Sequence, residues 1–218
     1  MATTYLTLIN DVLARLRENQ VVISSQNTYS QLIGRLVNDA KREVEDAWNW
    51  EALRTTVDVT TEQSTYNYSL TGSGEKFRIL SVYNATSGIF LRQNTRKFFN
   101  ESLFFPGGAQ EGIPNYYQIN GLDANGDGKI DLYPVPSGVY TVKFDLFVTE
   151  PELENDTDST SLPKNAIVAL AWAKAIEERG EDGGIGVSSQ YAVAKQVLAD
   201  AIAIEADRRP EESTWAGN

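Results

Sequence analysis

Asp123-Ala124-Asn125-Gly126-Asp127-Gly128-Lys129-Ile130-Asp131 is the stretch whose residue types and spacing come closest to a chemistry. Carboxylate or amide oxygens at positions one, three and five, glycine at six, a backbone carbonyl at seven and a carboxylate at nine are the parts of an EF-hand or dockerin-like calcium loop. The candidate ligands are Asp123, Asn125, Asp127, the carbonyl of Lys129, and Asp131. Position twelve, where a bidentate acid completes the cage, is Pro134. The flanking segments read as strands, where an EF-hand has helices. A polar hairpin turn between Tyr116–Asn120 and Lys129–Tyr133 is therefore preferred. Calcium would need a further oxygen from elsewhere in the fold and would bind weakly, at roughly 0.1–1 mM.

Other chemistry is scarce. The chain has no histidine and no cysteine, which removes the commonest general base, the thiolate nucleophile, disulfides and cysteine-based metal sites. Paired carboxylates remain, but among 30 Asp and Glu any chosen pair is close to chance. Gly72-Ser73-Gly74-Glu75-Lys76 lacks the glycine spacing of a phosphate loop and reads as a turn. Trp48 and Trp50 fit a core better than a sugar-stacking platform. The end of the chain differs in kind: Arg208 leads into a polar stretch, 209–218, which carries Arg209 and Trp215 and has little to pack against locally. A solvated end is the default there, and an exposed indole with two arginines beside it is also what an anchor into a partner's pocket requires.

The elements that must carry these residues follow from periodicity. Thr4 can cap a helix over Tyr5–Glu18, with Leu6, Ile9, Leu13 and Leu16 on one face. Asn27 or Thr28 can cap a longer one in which Leu32, Leu36, Ala40, Val44 and Trp48 recur every fourth residue, and Val21-Val22-Ile23 between the two can tuck under the pair. From Thr55 the period changes to two, with strands expected at Thr55–Glu62, Thr65–Leu70, Phe77–Tyr83, Ile89–Arg92, Asn115–Asn120, Lys129–Tyr133 and Val139–Thr149. The last alternates cleanly, with Phe147 as its one apolar exception, and predicts a sheet with one wet face. Thr95–Phe105, with four phenylalanines, reads as a short helix or ordered loop that plugs the sheet or meets a partner. Leu162-Pro163 opens a third helix and Ser188 caps a fourth that runs to about Arg208. The expected fold is α+β: a helical bundle built from N- and C-terminal helix pairs (1–54 plus 151–218) with an inserted antiparallel β domain (55–150).

The net charge of −11 is uneven, since residues 150–218 carry 14 acids and 6 bases. No basic face emerges that would neutralise phosphates, which argues against direct, tight nucleic-acid binding. No apolar run reaches the ~18 residues that span a bilayer, and the first residues do not read as a secretory signal. The expectation is a protein made in the cytoplasm, with no membrane.

Several stretches together resemble a known family. They are Trp48-Asn49-Trp50 closing the second helix, Tyr116-Tyr117-Gln118-Ile119, the run Ile130-Asp131-Leu132-Tyr133-Pro134-Val135-Pro136-Ser137-Gly138-Val139-Tyr140-Thr141-Val142, and Leu162-Pro163 before an alanine- and tryptophan-bearing helix. In these and in the order of its elements the chain resembles the head-to-tail adaptor proteins of tailed bacteriophages, in particular the tail tubular protein A type. The resemblance implies a structural virion protein at the head–tail junction, made in the host cytoplasm. It implies a homo-oligomeric ring, commonly of about twelve copies, bound beneath the portal protein and above tail nozzle or tail tube proteins. DNA would pass through the ring without specific binding, past carboxylates that do not hold it. It implies no catalysis and no cofactor; the Asn125–Asp131 insertion is not expected of every member, so any calcium site would be particular to this branch. Arg208, Arg209 and Trp215 become a portal-docking tail. The rival classes are a calcium-dependent carbohydrate-binding or adhesion module, suggested by the loop and the aromatics, and a carboxylate-based enzyme, which has no positive motif behind it.

Overall fold

The computed structural model describes residues 3–107, 109–180 and 185–207. It opens with β1 (Thr3–Thr4), α1 (Tyr5–Arg15) and α2 (Thr28–Ala47). A strand-rich stretch follows: β2 (Arg54–Thr60), β3 (Asn67–Leu70), β4 (Phe77–Asn84), β5 (Ile89–Phe90), β6 (Arg92–Gln93), α3 (Arg96–Phe104), β7 (Glu111–Gly112), β8 (Tyr116–Leu122), β9 (Gly128–Tyr133), β10 (Val135–Pro136) and β11 (Thr141–Val148). The last described elements are β12 (Ser159–Thr160), α4 (Lys164–Arg179) and α5 (Ile185–Ala206). The class is α+β, and the chain divides into two compact units, Met1–Ala52 with Glu150–Asn218, and Leu53–Thr149.

In the first unit local chemistry sets the helix ends. Thr4 caps α1 by accepting from the Thr7 N–H. The helix stops at Arg15, short of the expected Glu18, because Arg17 takes a left-handed φ of 58°. The Glu18 and Arg17 amides then turn back onto Leu13 and Ala14, a Schellman close made without the usual glycine. Asn27 and Ser30 form a capping box at the start of α2. Gly180 closes α4 with a φ of 64°. α5 begins at Ile185, so Ser188 sits within it and is not its cap.

α4 packs against α1, α2 and α5. It is buried around most of its circumference, through Ala166, Ile167, Val168, Ala169, Leu170, Ala171, Ala173 and Ala175. On α2 the fully buried line is Ile33, Val37, Ala40 and Val44. Leu32 and Leu36 are only half-buried, because the buried line at this end of α2 runs one position further round, through Ile33 and Val37. Of the three residues expected to tuck under α1 and α2, Val21 does so, held by both amide atoms of the Asn10 side chain. Val22 and Ile23 stay exposed.

The second unit holds two four-stranded sheets, ordered β2-β11-β4-β5 and β3-β9-β8-β6, where the sequence suggested one sheet with a wet face. Val59, Val82, Val142, Phe144 and Leu146 of the first and Leu70, Tyr117, Ile130 and Leu132 of the second share one apolar core, so the strands alternate between that core and an outer face. Two short pairings, β6 with β8 and β10 with β7, are parallel, which qualifies the all-antiparallel expectation. Between β4 and β11 the register shifts beside Asp145 and Leu146, so that Leu80 has no partner. Phe147 is buried although it points away from the shared core. On the outer face of the second sheet α3 lays Phe98, Phe99 and Leu103 over Tyr116 and Tyr133. Phe104 and Phe105, at its end, are exposed, so this segment both plugs the sheet and presents aromatic surface.

Candidate functional site

The Asp123–Asp131 stretch is the turn of the β8–β9 hairpin. Asp123 spends its Oδ1 on the N–H groups of Asn125 and Asp127, at 2.8 and 3.0 Å, in an Asx-type turn. The Asp127 N–H is the main reason its carboxyl is held below the usual carboxylate range. Asp127 reaches across to the turn between β3 and β4, where its Oδ1 accepts from the N–H groups of Gly72 and Gly74 at 3.1 and 3.0 Å. Both glycines have left-handed φ, 87° and 64°, and this is what turns their amides toward one acceptor. The glycine turn thus does hold an anion, one supplied by the protein itself. Lys129 stands in β9, paired with Ser69 of β3.

Asp131 is elsewhere. It is buried in β9 on the outer face of the second sheet, where its carboxylate accepts from the side-chain amides of Asn67, Gln118 and Asn120. Arg96 of α3 donates to the Asn120 oxygen in turn. Among the described residues no three acids converge in a way that could hold a metal ion. Asp127→Ala should leave the two glycine amides without their acceptor. We expect a loss of about 1–3 kcal/mol in urea unfolding, with faster amide exchange at Gly72 and Gly74.

A second cluster lies in the helical unit and was not foreseen from the sequence. Lys41 is 3% exposed. Its Nζ donates to the carbonyls of Glu150 and Pro151, at 3.0 and 3.1 Å. It stands 3.7 Å from Glu45 and 3.8 Å from the Glu150 carboxylate. Glu45 accepts from the Glu150 N–H at 2.6 Å, and Glu150 accepts from the Ser161 N–H. Burial raises the carboxyl of Glu45 above its ordinary range, with the Glu150 N–H and Lys41 acting the other way. One turn back, the Asn38 amide brackets the backbone of Leu153 through both its atoms, and Arg42 pairs with Glu152. α2 therefore grips the segment 150–153, where the chain re-enters the helical unit. The available signal was a lysine on the apolar face of α2, one position from Ala40 and three from Val44.

Trp50 is buried and donates its indole N–H to the Val44 carbonyl at 2.7 Å, as a core residue should. It also lines an open cleft of about 530 Å³ with Pro163, Ala201, Ile204 and Glu205. Arg208, Arg209 and Trp215 lie outside the described residues. No helix among the described residues is long and apolar enough to cross a membrane.

A model of the family described as SU10 adaptor protein matches residues 3–217. No curated protein matches the chain.

Proposed function

Since the chain belongs to the SU10 adaptor protein family of phage structural adaptors, we propose that it forms a ring at the head–tail junction of the virion, beneath the portal protein, with the DNA channel through its centre. The observation that carries this is the family match from residue 3 to residue 217, which spans both units. The helical unit, read as a bundle of the first and last helix pairs, supplies the rigid body such a ring needs. The tail from Arg208 to Trp215 reaches the portal, and tail tube or nozzle proteins bind on the opposite side. A negatively charged chain suits a channel that DNA must traverse without sticking. Exposed acids of the kind required stand at Glu152, Glu154, Glu177, Glu178 and Asp200. The test is capture of the full-length chain by its cognate portal, compared with a chain lacking residues 210–218. Portal binding that requires the tail supports both statements. Binding unchanged without it removes the tail's role, and no binding by either chain removes the portal assignment.

A calcium-dependent adhesion module is the second reading, favoured by the two facing sheets of the second unit. It predicts that calcium raises stability. A site with a Kd of about 1 mM would add roughly 1.4 kcal/mol at 10 mM calcium. Because Asp123 and Asp127 already satisfy backbone amides, we expect no change in melting temperature on adding calcium or a chelator. A shift of several degrees accompanied by sugar binding would favour the module.

A further inference from the structure

α5 is the helix whose surface and surroundings disagree. Its sequence is apolar on every side, a pattern that belongs to a helix enclosed by neighbours, yet among the described residues its one extensive helix contact is with α4. The side turned away from α4 carries Ala192, Gln196, Ala199 and Ala203 at spacings of four, three and four, all exposed. Val193 and Ile204 flank them at 51% and 61% exposure. That is the spacing of a seam between helices, with side chains small enough for close approach.

We propose that this face of α5 packs against the next copy of the same chain in the ring; the inference rests on the ring proposed above. Charge and area point to a second copy. Each copy carries −11, so copies can touch closely only where acids are sparse. Between Ile185 and Ala206 the charged residues are Lys195, Asp200 and Glu205. Glu205 is buried, leaving one exposed residue of each sign to pair across a contact. A helix of 22 residues is about 33 Å long. A strip of that length and roughly 10–12 Å wide covers about half of the ~800 Å² per partner usual in a stable pairwise complex. One such contact is too small for a tight dimer. A head-to-tail closed ring, in which each copy is held on two sides, makes it sufficient.

The test uses the absence of native cysteine. Ala199→Cys, labelled with a benzophenone maleimide, is irradiated in the full-length chain under assembly conditions with portal present, and the partner peptide is mapped. A ladder of chain-to-chain adducts running beyond the dimer supports the proposal. Dimers alone, adducts to portal alone, or no adducts in a sample that has assembled overturn it while the ring stands. In parallel, Ala199→Arg and Ala203→Arg should leave melting unchanged, because both sites are exposed. Each should raise the concentration needed for assembly by about tenfold or more, the effect of one buried, unpaired charge. Assembly of both variants at the wild-type concentration also overturns the proposal. A wild-type chain that forms no ring under any condition defeats the ring itself, and the proposal with it.

Discussion

Replacing Lys41 by methionine is expected to destabilise the helical unit by about 3–5 kcal/mol, because the substitution leaves the buried carboxylate of Glu45 and the partly buried one of Glu150 without their cation. It also strips two carbonyls, those of Glu150 and Pro151, of their donor. In a chain of this length each kcal/mol moves the melting temperature by roughly 2–4 °C, so the shift is large enough to read in a simple melt. Methionine preserves the volume and the apolar stem, which separates loss of charge from loss of packing. The penalty should depend on pH in a defined direction. Glu45 has its folded pKa raised above the ordinary carboxyl value it takes when unfolded, so between those two values the folded state binds the extra proton and stability falls as pH rises. Removing Lys41 raises the folded pKa further and widens that window. The deficit of Lys41→Met should therefore shrink as the solution is taken from pH 7 toward pH 5. Adding Glu45→Gln should recover part of the loss at pH 7 and flatten the pH response. A deficit that is constant with pH would mean that Lys41 acts through its carbonyl contacts alone.

Phe144→Ala is expected to cost about 3–5 kcal/mol in the second unit. Phe144 is fully buried on β11, the strand between β2 and β4, and meets Tyr117 of the opposite sheet edge-on at a centroid distance of 6.0 Å. Its ring is thus a contact through which the two sheets see each other, and deleting it opens a cavity that neither sheet can fill by moving alone. Phe144→Leu, which keeps most of the volume, should cost less than about 1.5 kcal/mol. Urea midpoints measure both. A small effect from the alanine variant would show that the sheets are held together mainly by other pairs.

What the sequence made legible was local. The caps at Thr4 and Asn27, the alternation of Val142, Phe144 and Leu146, and the hairpin turn after β8 are written within a few residues of where they act. What it hid depends on partners far along the chain. Nothing near Phe147 announces that it is buried on the face opposite to Phe144. The division of one alternating region into two facing sheets is decided by which strands pair, which alternation does not specify. Lys41 is a lysine on an apolar face, and the two carbonyls that account for it are more than a hundred residues away. At the calcium-like loop the residue types were legible and their allocation was not. Asp123 and Asp127 serve the turns, while Asp131, in the same nine-residue motif, serves three amides on the outer face of the sheet. The left-handed Arg17 ends α1 where only a glycine would have been expected to stop it.

The measurement that bears most directly on the adaptor account is an electron cryo-microscopy reconstruction of the intact virion that carries this chain. The account predicts density for both units, repeated around the axis directly beneath the portal, with an open channel at the centre. Finding the chain absent from the particle, or present as single copies away from the head–tail junction, would contradict it.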